Sequence, residues 1–469
     1  MGVNVGSLRL DYAFCLEEVL GQGRGLSAVA WHSVLDELAG VHARLEEQRR
    51  IGNLGFWKLP QMPVDQRIDI TEEAERLRSL ADDLVVLGIG GSALGPTAVD
   101  MALSGTMRQV WPRREGAMRL FVADNPDPRA FGGLLEKLDL RRTVFNVVSK
   151  SGSTAETMAQ FMVVRQRLED VLSREEAFKR IVFTTDPEAG NLRLLARGAA
   201  YACLPVPPNV GGRYSVLSAA GLLPLACVGY DVTALLAGAG EMAARCQEKT
   251  PRENPAYVFA ALAVANARQG RNILVMMPYA TDLFGLAQWF VQLWAESLGK
   301  ARHLDGSPAH VGQTPVAAVG ATDQHSQLQL YMEGPQDKQI CFITLDNYGA
   351  DLEIPPLFGD IEALSYLDGR TLAELIQAEA TATAAALAQE GRPSLALRLP
   401  AINEHVLGQI IFMLEAATVA AAGLLHVDPL DQPGVELGKK FTYGLMGRKG
   451  FDEYRPRLES MRGGAEFLV

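Results

Sequence analysis

Short apolar runs, each followed by a helical pattern, recur along this chain and restrict it to an alternating α/β architecture. The first, Leu84-Val85-Val86-Leu87-Gly88-Ile89, ends in glycines. Runs at 120–123, 143–148, 180–184 and 200–205 follow it, with helical stretches at 155–172 and 191–197 between them. Continuous apolar runs of this length suit strands buried on both faces. Strands alternating with helices build a doubly wound parallel sheet. A second series begins at 272, with strand patterns at 273–277, 340–345 and 395–399 and a helix over 282–296. The pattern therefore predicts two α/β domains of one type. Helical spacing of Val34, Leu35, Leu38, Val41 and Leu45 marks a helix over 31–50, and Thr71 is placed to cap a helix over 71–80. Residues 56–63, with two prolines, read as a loop. Further helices are expected at 258–268, 381–389 and 404–425. The expected organisation is a helical segment over 1–80, a first α/β domain over 81–225, linker helices and a second α/β domain over 226–400, and a C-terminal helical segment over 401–469.

Composition narrows the function classes. A chain of 469 residues is long enough for two or three domains, and 48% apolar with 21% charged residues is a globular balance. A net charge of -11 argues against nucleic acid and anionic membranes as partners. It leaves small anionic substrates open, because local cations dominate the field inside a cleft. Cys15, Cys203, Cys227, Cys246 and Cys341 are scattered, odd in number and without a C-x-x-C pair, so thiols in a reducing cytoplasm are expected rather than a disulfide framework. The N-terminus shows no basic flank running into an apolar stretch, so no signal peptide is expected. The apolar stretch at 410–425 is interrupted by Glu415 and reads as a buried helix, not a membrane span.

Several polar clusters punctuate this frame. Gly88-Ile89-Gly90-Gly91-Ser92-Ala93 sits at a strand-to-helix turn, where glycines admit a close ligand or simply make a tight turn. It also satisfies the G-x-G-x-x-A dinucleotide pattern, with Asp124 as a candidate ribose acid. Ser149-Lys150-Ser151-Gly152-Ser153-Thr154 offers hydroxyls and free backbone N–H groups at a helix start, suited to a phosphate, while Ser153 and Glu156 form a capping-box pattern. Paired glycines precede Arg213, which otherwise reads as a surface arginine seeking a carboxylate. Glu296 follows Trp289, Phe290, Leu293 and Trp294, an apolar setting that strengthens a carboxylate base; the alternative is an i,i+4 pair with Lys300. His325 lies in a polar loop entering a helix, and Gln432 and Lys439 have plain solvated alternatives. No histidine or cysteine spacing suggests a metal site.

Taken together, these clusters resemble the glucose-6-phosphate isomerase family over residues 84–439, in family order. The segments around Gly211–Ser215 and Asp431–Lys439 resemble its two signature patterns. The resemblance implies two sugar-isomerase (SIS) domains with flavodoxin-like sheets, and a homodimer that shares residues between active sites. It implies that Gly91, Ser92, Ser149, Lys150, Ser151 and Thr154 hold the sugar phosphate, that Glu296 moves a proton between C1 and C2, and that Arg213 stabilises the enediolate. It further implies ring opening by His325 and Lys439, with His325 supplied by the neighbouring subunit, and positioning by Gln432. No cofactor is implied. Pro433 and Ser153 depart from the residues usual in relatives, and residues 1–80 carry no matching motif. Two other readings are a non-catalytic sugar-phosphate sensor, lacking the base, and an NAD(P)-dependent oxidoreductase built on the glycine turn. A dual phosphoglucose/phosphomannose isomerase shares the same intermediate and differs only in local shape.

Overall fold

The computed structural model describes residues 7–105, 116–199 and 201–461. Residues 1–6 of the N-terminal reading, and residue 200 at the expected start of one strand, lie outside this description. Strand β1 (Arg9–Asp11) comes first, but it joins the second sheet. The first sheet comprises β2 (Asp83–Leu87), β3 (Arg119–Ala123), β4 (Thr143–Val148), β5 (Ile181–Thr185) and β6 (Ala202–Pro205), in the order β3-β2-β4-β5-β6. All its pairings are parallel. This is the flavodoxin-like order, whose topological switch lies between β2 and β4. In open α/β sheets ligands bind beyond the strand carboxyl ends at that switch. The two strands there lead into Gly88–Ser92 and Ser149–Thr154.

The second half contributes β7 (Ile273–Pro278), a small antiparallel hairpin of β8 (Lys300–Arg302) and β9 (Pro308–Val311), then β10 (Thr314–Ala317), β11 (Lys338–Leu345) and β12 (Ser394–Leu399). The second sheet runs β1-β12-β11-β7-β10, parallel except for β1, which pairs antiparallel with β12. Its four parallel strands repeat the order of the first sheet. The fold is thus mixed α/β, with two parallel sheets flanked by helices, as the alternating runs predict. β1, the β8–β9 hairpin and β10 carry no long apolar run. β10 contains Pro315 and occupies a sheet edge, where a missing N–H costs no ladder bond.

Helices cover the sheets. Ala28–Arg50 is capped by Ser27, and Val64–Leu80 is one longer helix in which Thr71 is not a cap. Its hydroxyl instead donates back to the carbonyls of Arg67 and Ile68. The centre of the molecule is the helix Glu404–Leu425, packed against Val232–Arg245, Pro255–Arg268 and Phe284–Leu298. Among the described residues it is the one helix long and apolar enough to cross a membrane, and 94% of its most apolar window is buried inside the protein.

Glu415 sits in the middle of this helix, with no exposed surface and no hydrogen-bond partner for either carboxylate oxygen. Burial pushes its pKa well above the ordinary value. The unfolded carboxyl ionises near pH 4.3, so above about that pH the native state holds a proton that the unfolded chain releases. The contribution is fully present below the unfolded pKa. It is lost at about 1.4 kcal/mol per pH unit as pH rises toward the folded pKa. Glu415→Gln is isosteric and has no proton to lose. Its melting temperature should exceed the wild type's at neutral pH, with a gap that widens as pH rises above the unfolded carboxyl's value of about 4.3. A gap independent of pH would show that Glu415 does not titrate on unfolding.

Candidate active site

The two glycine-bearing turns meet first. Gly91 packs so closely on the Gly212–Arg213 peptide that a Cβ on it would lie 2.1 Å from the Gly212 carbonyl carbon. Any side chain there would force the loops apart. The contact sets the 3₁₀ turn Gly90–Ser92 beside the 3₁₀ turn Gly212–Tyr214 and so fixes where Arg213 starts.

Arg213 is 4% exposed, so its guanidinium needs internal acceptors. All five of its donors find them. Nε donates to Ser297 Oγ at 2.7 Å, and Nη1 to Glu296 Oε2 at 3.2 Å and Gln432 Oε1 at 2.8 Å. Nη2 donates to the carbonyls of Pro429 and, at 3.0 Å, Asp431. Behind it, the Tyr214 hydroxyl lies 3.0 Å from Ser297 Oγ, and burial pushes its pKa up to about 12 against the opposing pull of Arg213.

Glu296 lies in the last turn of the helix Phe284–Leu298 and keeps about a third of its side-chain surface open. Trp289, Phe290, Leu293 and Trp294 are buried in the core, so they fix the helix rather than enclose the carboxylate. Gln292, one turn earlier, donates to Glu296 Oε1 at 3.1 Å. The motif reading missed Gln292, although its i,i+4 spacing from Glu296 was the available signal. The expected i,i+4 ion pair between Glu296 and Lys300 does not form. Lys300 lies beyond Gly299, on β8, and its ammonium donates to the Glu296 backbone carbonyl instead.

The hydroxyl cluster follows β4. Ser149 Oγ accepts from the Gly152 N–H at 3.1 Å and lies 3.1 Å from Thr154 Oγ1. Gly152 has φ of +60°, and a Cβ there would sit 2.5 Å from the Leu192 nitrogen, so the turn needs glycine. The expected capping box at Ser153 is absent. The helix starts at Ala155 with Thr154 at the N-cap, and Ser153 bonds to Ser151 Oγ. No side chain caps this helix start. Lys150 reaches across to the carbonyls of Pro208 and Val210, steadying the loop that leads into Gly211; burial lowers its pKa, opposed by Asp186.

Within one chain, then, the fold gathers Gly91, Ser92, Ser149, Lys150, Ser151, Thr154, Arg213, Glu296 and Gln432 around the carboxyl ends of β2 and β4. It does not bring His325 or Lys439 to them. His325 is exposed on a 3₁₀ turn at the end of β10. Lys439 pairs with Glu436 at 2.7 Å on the exposed helix Glu436–Leu445. Among the described residues, no group of three or more His, Cys, Asp or Glu is placed to hold a metal.

Comparison with known proteins gives the family. The phosphoglucose isomerase family model matches residues 71–449. A glucose-6-phosphate isomerase of Carboxydothermus hydrogenoformans is 43% identical over 426 residues, covering 91% of this chain and 92% of that protein. One from Rubrobacter xylanophilus is 49% identical over 402 residues, covering 85% and 90%. A Thermus thermophilus structure, solved as a hypothetical protein, superposes with a TM-score of 0.81 at 37% identity over 94% of this chain and 99% of that one. A Chlamydia trachomatis glucose-6-phosphate isomerase superposes with a TM-score of 0.74 at 26% identity, covering 85% and 76%. The chain belongs to the phosphoglucose isomerase family.

Proposed function

We propose that this chain interconverts glucose 6-phosphate and fructose 6-phosphate by ring opening and a cis-enediolate intermediate. The observation that carries this reading is the partly exposed Glu296 carboxylate, held between Gln292 and the buried Arg213, in a fold that also offers an uncapped helix start rich in hydroxyls after β4. The Ser149–Thr154 cradle takes the phosphate, with Gly91 and Ser92 closing its other side. Binding energy from this remote group then holds the sugar for chemistry at C1 and C2. Glu296 removes the C2 proton of the aldose and returns it at C1, while a proton passes between O1 and O2. Arg213, a fixed cation, stabilises the negative charge that develops on the enediolate. The net reaction moves protons only, so side chains suffice. The parallel strands of the two sheets are read as two sugar-isomerase domains, within 81–225 and 226–400, to the second of which β1 adds an antiparallel edge strand. Five free cysteines, four of them buried, support a reducing cytoplasm as the place of action.

Ring opening needs an acid and a base at O5 and O1, the roles assigned to His325 and Lys439. We infer that a homodimer supplies His325 from the neighbouring subunit. The exposure of His325 supports this, as do the exposed apolar side chains Leu352, Leu357, Phe358, Ile361 and Leu364. Glu296→Gln and His325→Ala homodimers should each be nearly inactive. Dissociating and reassociating them together should restore activity, because each hybrid then holds one site with an intact base and an intact imidazole. No gain in the mixture would place His325 and Glu296 in one chain's site.

The reaction itself is tested by adding the protein to fructose 6-phosphate and following glucose 6-phosphate with a coupled NADP-linked dehydrogenase. Rapid NADPH formation is expected. Binding of the sugar phosphate without turnover would make the chain a sensor and Glu296 structural.

A further inference from the structure

Lys300 is 7% exposed, and its burial lowers its pKa against the opposing pull of Asp431. An ammonium is costly to desolvate, so its partners show what it is there for. Nζ donates to the Glu296 carbonyl at 2.8 Å and to the Asp431 carbonyl at 2.7 Å, and lies 3.1 Å from Asp431 Oδ1. Three partners match its three donors, which leaves none for a substrate.

Each partner has a structural meaning. The Glu296 carbonyl is one of the last carbonyls of the helix Phe284–Leu298, which have no intrahelical acceptor role to fill and carry the negative end of the helix dipole. A cation there fixes the turn that bears Glu296. The Asp431 carbonyl precedes Gln432 and also accepts from Arg213, so two buried cations pin one peptide unit. Lys300 reaches the backbone of Glu296, not its carboxylate. The carboxylate is therefore left to Arg213, Gln292 and the open side.

We propose that Lys300 is a positioning residue for the isomerisation: it sets the register between the last turn of the base-bearing helix and the segment carrying Gln432, and so the placement of the Glu296 carboxylate and the Gln432 amide about the substrate. This rests on the reading of Glu296 as the base.

Lys300→Met keeps most of the stem and removes the charge. Losing hydrogen bonds to a charged group should lower kcat by about 10- to 100-fold. KM for fructose 6-phosphate and inhibition by inorganic phosphate should stay within about threefold, because the cradle lies on another element. A sugar-acid phosphate whose carboxylate mimics the enediolate should weaken by a factor similar to the loss in kcat. The proton carried between C1 and C2 should exchange more with solvent deuterium during turnover, a change that mere loss of folded enzyme would not produce. Unchanged kcat and exchange, or a loss that only tracks the folded fraction, would overturn the proposal. Asp431→Ala removes the ion pair from a half-exposed position and keeps the backbone carbonyl. It should lower kcat a few-fold at unchanged KM, and it carries the test alone if the Met variant does not fold. In that case unchanged kcat and exchange overturn the proposal. Glu296→Gln, measured alongside, separates the two claims. If it retains turnover, the base assignment fails. If it loses turnover while both Lys300→Met and Asp431→Ala match the wild type, only the positioning role fails.

Discussion

Glu296→Gln is expected to lower kcat for fructose 6-phosphate by about 10²- to 10⁴-fold, the range supplied by one general base. KM should change little. The amide keeps the length of the side chain and retains acceptor and donor groups for Arg213 Nη1 and Gln292, so the surrounding cluster has no reason to collapse. The proposed phosphate cradle follows β4, a different element from the helix that carries residue 296, so inorganic phosphate should inhibit the variant and the wild type alike. In deuterated water the wild type should place deuterium at C2 of glucose 6-phosphate, and the variant should not within the same number of minutes. Glu296→Asp should fall between the two. It retains a base but withdraws it by one methylene, and a displacement of about 1 Å costs about 10²-fold when reacting atoms must be in near contact. Retained turnover in the glutamine variant would remove Glu296 from the chemistry and leave it as a partner of Arg213.

How far the sequence reaches is clearest at particular residues. β2, β4 and β5 are buried on both faces, so their apolar runs announce them. β1 and β8 are three residues long and partly exposed, too short to show a pattern, and the pairing that makes β1 a strand lies far away in sequence, at β12. Lys300 was readable as a helical partner of Glu296 only if the helix continued through it. Gly299 ends that helix, and the same i,i+4 spacing then delivers the ammonium to a carbonyl. Ser153 has the composition of a cap, but the positive φ of Gly152 turns the chain so that Thr154 takes the N-cap position. Arg213, Glu296 and Gln432 lie up to 219 residues apart, and motif order alone suggested that they meet. His325 and Lys439 make no such contact within one chain: the first is exposed on a 3₁₀ turn and the second pairs with Glu436 on an exposed helix, so motif order alone links them to the cluster.

Arg213 is the other position where a single change should have a large effect. Its five donors are all engaged in the free protein, so it holds none in reserve for a substrate oxygen. It therefore offers a positioned charge and clamps the 429–432 segment against Glu296. Lysine keeps the charge but offers three donors on a flexible stem in place of a planar fork. Arg213→Lys should lower kcat by about 10²-fold, chiefly through loss of the clamp. Arg213→Met, which also removes the charge proposed to face the enediolate, should lose about a further tenfold, within the range found when one preorganised donor is removed from a site of developing negative charge. Both variants should melt at a lower temperature, because Ser297 Oγ and two backbone carbonyls lose a partner in a buried setting where unmade hydrogen bonds cost about 1–3 kcal/mol each. Phosphate affinity should be spared in both, since Lys150 and the Ser149–Thr154 turn do not depend on the guanidinium. Equal kcat in the lysine and methionine variants would mean that the clamp accounts for the whole effect and the charge for none. Wild-type kcat in the lysine variant would show that the five-bond geometry has no bearing on turnover.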